Sequence, residues 1–535
     1  MKKKFPLFIL LILPVSIIII SLYFKHSIGE YFLYRDPSYV YLLNSLNLSQ
    51  MSGYGVGHID HPGTTLQIIG AIVIKCFYVI QGQSVDIVHD VISRPEFYLG
   101  RINSVIVVMI SAALYILGIT VYKISGNIYS ALFLQLTPLC SATIYYDLTN
   151  VNPEILLIFS TLLLIAFIIF YLNKDEKDKN NSFKLTIVFG IIFGFGLVTK
   201  ISFFPVLLIP LFLIKRISYK FYFLAITAIV FCLLLTPVIS FDQIFKFAAW
   251  IKSITTNSGL YGMGNPEIID TSSFFGNLKK ILINELMFTI SYVLAFTTLI
   301  LYFIPRFRIQ IRENKYFNLL TGIFFAMSVQ LIIVSKHFTF RYMLPALMLS
   351  VLSFYVVLNL TSGILPEYLK RKKKLIFSTA FLIFLFFSLK TFYTKTSDLY
   401  FKQNESHRIL NFLDENYKHS IIISTNLSSS IEAALHLGAR YSGSQREKYY
   451  TVINSLYPDR YIFNIWYKVT ELMDKDFLRT LLIEKNKFFF DCKSTIELND
   501  FILFISQLTG SENITYKEVY SNKREEKIYE IELNP

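Results

Sequence analysis

The chain has 535 residues, 54% of them hydrophobic, only 16% charged, and a formal charge of +14. Soluble domains carry roughly a quarter charged residues, so this composition excludes a soluble globular protein. The basic residues cluster in short stretches between apolar runs, which excludes a nucleic-acid surface and points instead to membrane topology.

Run after run reaches the length of about 20 apolar residues that a helix needs to cross the hydrocarbon core. Lipid offers no water to open backbone groups, so these runs are read as helices. The first follows Lys2, Lys3 and Lys4 and covers 5–23. It is longer than a signal-peptide core and no small-residue cleavage site follows, so it is read as a retained signal-anchor. Further apolar segments lie at 64–80, 101–122, 126–146, 154–172, 185–200, 201–214, 221–240, 281–304, 316–335, 342–361 and 375–393. Cys76, Cys140 and Cys232 lie in apolar segments and Cys492 stands alone, with no disulfide or C-x-x-C pattern.

Loop charge decides which segments cross. If all do, with the N-terminus inside, then YLNKDEKDKNNSFK, IKRISYK, RFRIQIRENK and EYLKRKKK all fall outside. That breaks the positive-inside rule four times. If 64–80 does not cross, every one of these loops moves inside and about eleven helices remain. Lys75 in that segment then reaches water from an interfacial helix. The segments 185–200 and 201–214 form a tight hairpin with Lys200 at its outer turn.

This topology gathers ionisable residues on the outer face, where boundary charges are functional candidates. The outer loop 24–100, with juxtamembrane helices, holds Asp36 (YFLYRDPSYVY) and the HIDHPG element with His58, Asp60 and His61. The turn YYDLTNVNPE brings Asp147 and Glu154; KHFTFR brings Lys336 and Arg341. Each has a plain alternative. Asp36 before Pro37 suits a helix N-cap, and Glu154 after Pro153 suits a first helical turn. The cations could meet lipid headgroups. Lys and Arg at the outer boundary oppose the positive-inside pattern, however, and a phosphate ligand explains them. His58, Asp60 and His61 are also metal-ligand types, without the spacing of a standard zinc site.

Beyond 395 the chain becomes polar and mixed. Runs such as SIIIST, KFFFDC and EKIYEIEL read as strands. SSSIEAALHLGA, VTELMDKDFLRTLLIEK and ELNDFILFISQL read as helices. Residues 1–395 are therefore expected to form a polytopic α-helical membrane domain and 396–535 an extracytoplasmic α/β domain.

The ordered set of motifs resembles the GT-C membrane glycosyltransferases, notably protein O-mannosyltransferases and aminoarabinose transferases. It comprises an acid after the first helix, DHPGTTLQ, GRINSVIVVMISAALYILG, NPEILLIFSTLLL, GIIFGFGLVTK and KHFTFRYMLPAL. The resemblance covers about residues 1–390 and implies an inverting transfer from a polyprenyl-phosphate-sugar donor to an acceptor hydroxyl of a glycan, lipid or protein. It implies Asp36 as the catalytic base, with His61, Lys336, Arg341 and Lys200 on the donor phosphate. Glu154, with Asp60 and His58, would hold the acceptor or a divalent metal. The family's usual pair of adjacent acids is absent, since Arg35 and Pro37 flank Asp36. His61 also stands where Lys often precedes Pro, which leaves the sugar and the metal open. The loop composition suits a bacterial plasma membrane with the site outside. Two other readings are a lipid-linked glycan polymerase or ligase and a non-catalytic flippase. The arginine-free loop 241–270 argues against the first, and the lack of two related halves against the second.

Overall fold

Apolar sequence becomes helix wherever a run is long enough. The computed structural model describes residues 5–28, 31–51, 56–82, 84–175, 183–312, 314–361, 372–470 and 475–534. Lys2–Lys4 and much of the loops YLNKDEKDKNNSFK and EYLKRKKK lie outside them. Among the described residues, nine helices are long and apolar enough to cross a membrane, and two shorter apolar helices, Phe183–Thr199 and Ile201–Leu213, accompany them. The nine include Thr64–Gln81, on which Lys75 is exposed. The expected count of about eleven crossing helices is not confirmed among the described residues.

Two compact units divide the chain. The first comprises Met1–Tyr23, Ile59–Leu66 and Asn103–Lys395; the second comprises Phe24–His58, Gln67–Ile102 and Thr396–Pro535.

Within the first unit, close helix packing explains the GIIFGFG element. A Cβ on Gly190 or Gly194 would stand 2.5 Å from Ile226 or Val230 of the helix Ile217–Leu235, so only glycine permits that approach. The next residues end the helix. Lys200 is extended (φ −161°, ψ 132°) between the two short helices. One expected segment is broken. Instead of a helix over 126–146 there are Ile128–Gln135, a 3-10 turn Thr137–Leu139 and Ala142–Asp147. Pro138 cannot donate to the preceding turn, and Ser141 restarts the helix by accepting from the Thr143 amide at 3.1 Å. The hydroxyls of Ser141 and Thr143 then donate to Glu285 at 3.0 Å each. Glu285 itself separates Thr271–Asn284 from Leu286–Ile300, where one helix was expected over 281–304.

The second unit holds a six-stranded sheet: β1 (Ile422–Thr425), β2 (Arg460–Asn464), β3 (Val469–Thr470), β4 (Lys487–Cys492), β5 (Ile514–Ser521) and β6 (Lys527–Leu533). Its order is β3-β2-β1-β4-β6-β5. Strands β2, β1 and β4 run parallel, and β3, β6 and β5 add antiparallel edges. Side chains alternate across the sheet. Ile423, Phe463 and Phe490 pack against Leu478, Leu482 and Phe501 on one face. Ile422, Phe489 and Ile528 pack against Ile409 and Leu413 on the other. Those last two residues belong to the helix Lys373–Asn416, whose apolar first half is the last candidate span.

Candidate functional site

The first unit draws Glu154, Lys200, Arg341 and His61 into one neighbourhood. Asn152 caps the helix Pro153–Leu172 by accepting from the Ile155 amide at 3.0 Å, which sets Glu154 in the first turn. Glu154 is fully buried. The Lys200 ammonium donates to its Oε1, and Arg341 Nε lies 3.6 Å from the same oxygen. Glu154 Oε2 has no hydrogen-bond partner among the described residues. Asp147 accepts from Asn152 Nδ2 at 2.8 Å and is close enough to interact with the charges of Glu154, Lys200 and Arg341. A buried carboxylate persists when it is paired and hydrogen-bonded. Here it also holds two cations beside each other that would otherwise repel.

The DHPGTT element is stapled to the end of GIIFGFGLVTK. The Gly63 amide donates to the Thr199 carbonyl at 3.2 Å, and the Thr65 and Thr199 hydroxyls are 2.7 Å apart. His61 is thereby fixed two residues ahead of a staple anchored next to Lys200. Its φ of +72° lies in the left-handed region, which costs a non-glycine residue about 1 kcal/mol. Such strain is kept where the surroundings over-determine it, as at functional sites.

Aromatic residues complete the neighbourhood. The Tyr342 hydroxyl is 3.2 Å from His61 Nε2 and donates to the Tyr261 hydroxyl at 3.3 Å. The face of the Tyr342 ring meets the Lys200 ammonium 4.4 Å from its centroid, a cation–π contact. Trp250 meets the His61 ring edge-on at 4.8 Å, and Tyr261 lies 5.7 Å from it. Nothing in the sequence alone singles out Tyr342, Tyr261 or Trp250. Lys336 donates to the carbonyls of Ile254 and Thr255, at 2.9 Å each. Asp60 is exposed.

Asp36 and His58 belong to the second unit. Asp36 is exposed and non-helical (φ −98°, ψ 114°) at the start of Arg35–Ser49. Glu96, an acid the sequence analysis passed over, pins the chain on both sides of it. Its carboxylate accepts from the Tyr31 amide at 2.7 Å, the Phe32 amide at 3.0 Å, the Tyr39 hydroxyl at 2.7 Å and the Lys25 ammonium at 3.0 Å. His58 presents its ring edge to Tyr41 at 5.4 Å and Tyr441 at 6.0 Å. No group of three or more His, Cys, Asp or Glu side chains among the described residues could hold a metal ion.

Residues 99–335 match the family model of glycosyltransferase family 87. No curated protein matches the chain. Among solved structures, ArnT from Cupriavidus metallidurans bound to undecaprenyl phosphate aligns at 12% identity and a TM-score of 0.47, over 92% of this chain and 93% of that one. The apo form of the same protein aligns at 11% and 0.46, over the same shares. The family match spans Glu154 and Lys200 and ends one residue before Lys336, while His61 and Arg341 lie outside it.

Proposed function

We propose that this protein transfers a sugar from a polyprenyl-phosphate donor to an acceptor hydroxyl, with inversion, on the outer face of a bacterial plasma membrane. The observation that carries this reading is the charge balance around Glu154. Lys200 and Arg341 share the buried Glu154 carboxylate, with Asp147 close by, and His61 lies near them through Tyr342. A phosphate that gains charge as its bond to the sugar breaks is stabilised by such fixed donors. In this reading His61, Lys200 and Arg341 hold the leaving phosphate, and Glu154 keeps the two cations in place. The resemblance assigns Asp36 the part of base. It takes the proton of the acceptor hydroxyl, whose oxygen attacks the anomeric carbon. The carbon–oxygen bond to the phosphate breaks, and the electron pair leaves with the phosphate. No cluster of three metal-ligand side chains among the described residues supports a metal at this site.

Two measurements test this. Lipid extracted from the purified protein is expected to contain a polyprenyl phosphate by mass spectrometry, and Asp36→Asn is expected to lower transfer by about 10²- to 10⁴-fold while donor binding persists. A variant with normal turnover would remove Asp36 from the mechanism. A protein with neither bound lipid nor turnover would end the reading.

A further inference from the structure

The segment 241–264 brings Trp250 and Tyr261 to His61, yet little apolar packing holds it. No residue of the helix Phe241–Thr256 is buried. The turn after it is strained. Tyr261, a non-glycine residue, has φ +58°, and Gly259 and Gly262 have φ +75° and +72°. A Cβ on Gly262 would stand 2.6 Å from the Ser253 carbonyl group. Polar ties must therefore fix the segment, and several come from the end of the helix Phe317–Lys336. Lys336 donates to the Ile254 and Thr255 carbonyls at 2.9 Å each. Both ring nitrogens of His337 face carbonyls at 2.7 Å, Nδ1 that of Gly259 and Nε2 that of Ile254. A carbonyl only accepts, so His337 makes both bonds in full only when each nitrogen carries a hydrogen. Two adjacent side chains thus collect the Ile254 and Thr255 carbonyls at the C-terminal end of Phe241–Thr256, groups a helix leaves without partners of its own, and reach the Gly259 carbonyl, which also accepts from the Gly262 amide at 3.3 Å.

We propose that Lys336 and His337 are positioning residues, a clasp that fixes Trp250 and Tyr261 against His61, and that they do not serve as ligands of the donor phosphate. This rests on the site reading above for its catalytic consequence, but the clasp itself is measured without any donor. Displacing the clasped residues misplaces His61 relative to the reacting centre, and small misplacements are expensive in rate.

The chain has two tryptophans, so Trp466→Phe leaves Trp250 as the sole reporter. In that background Lys336→Met, His337→Ala and the pair are compared with His337→Gln, which keeps a single donor group. Acrylamide quenching of Trp250 in the donor-free protein is expected to rise about twofold for the pair and less for His337→Gln. Transfer is expected to fall about 10- to 100-fold for the pair. Monodisperse elution of each variant confirms folding. Quenching that stays at the parent level, whatever transfer does, overturns the clasp; if transfer then falls, Lys336 and His337 touch the donor directly. A parent that never transfers sugar but shows the quenching change would sink the enzyme reading and leave the clasp standing.

Discussion

Two buried acids, one in each unit, are stabilised in opposite ways. Glu154 in the first unit meets Lys200 and Arg341. Asp491, at the carboxyl end of β4 in the second, meets hydroxyls of Ser428 and Ser424 and the charge of another acid, Glu526. Glu526 is itself fully buried and accepts from the Ser429 amide at 2.5 Å and the Ser429 hydroxyl at 2.8 Å. Burial, then Glu526, pushes the Asp491 carboxyl well above the usual carboxylate range. The difference teaches how to read a buried acid. Glu154 sits between two cations. Asp491, buried beside another acid, is pushed toward its protonated form, although the hydroxyls around it and Lys493 pull the other way.

Glu154→Gln breaks the first arrangement outright. It removes the carboxylate that both cations share, and is expected to destabilise the membrane unit by about 3–5 kcal/mol. Thermal unfolding in detergent measures it, and an unchanged midpoint would dissolve the contrast. The second unit is expected to be sensitive to acid instead. His436 is buried, its ring nitrogens have no partner among the described residues, and burial pushes it down to about 4. A depressed histidine gives stability that is present above its ordinary value of about 6.5 and lost as pH falls toward 4, up to about 3 kcal/mol. His436→Phe is expected to flatten that acid limb in a pH series of unfolding. The smallest effect belongs to Asp491→Asn. Its raised value means the wild type is favoured at low pH and loses stability as pH climbs above about 3.9. The variant should match the wild type within about 1 kcal/mol in acid and gain on it as pH rises. A gain toward low pH would show that Asp491 is charged after all.

Most helices were legible because lipid demands long apolar runs, and length and composition are visible in any sequence. The breaks were less so. The run 126–146 stays apolar through Pro138 and Ser141, and only Glu285, 144 residues on from Ser141, shows why the chain restarts there. The helix Lys373–Asn416 continues past 395, where its residues turn polar, and its Ile409 and Leu413 pack on the sheet. In the second unit β1, β4 and β6 follow the apolar runs read as strands. β5 (ITYKEVYS) is an exposed edge strand with charges, and its pattern carries no core signal. The head of the helix expected over VTELMD is the short β3. At the site, His61, Glu154, Lys200 and Arg341 were legible by residue type and order, and the first unit gathers them. Tyr342 and Tyr261 were not, since among 35 tyrosines and 50 phenylalanines one ring looks like another, and Trp250, one of two tryptophans, sits in the loop 241–270 with no motif to mark it. Whether Thr64–Gln81 crosses is a question for chemistry. Gln81→Cys should react with an impermeant thiol reagent from outside the cell, and labelling only from the cytoplasm would undo the parity argument and the outer-face site with it.

The staple between Thr65 and Thr199 has a consequence for biosynthesis. Its two hydroxyls are 134 positions apart in the chain. The His61 element therefore leaves the ribosome long before its anchor exists, and it must wait while the intervening apolar segments are made and threaded into lipid. Closing so distant a contact is a late event. A nascent chain stopped short of Thr199 holds every residue of HIDHPG and still lacks the fixed His61, so the site is finished by the completion of the bundle and not by its beginning.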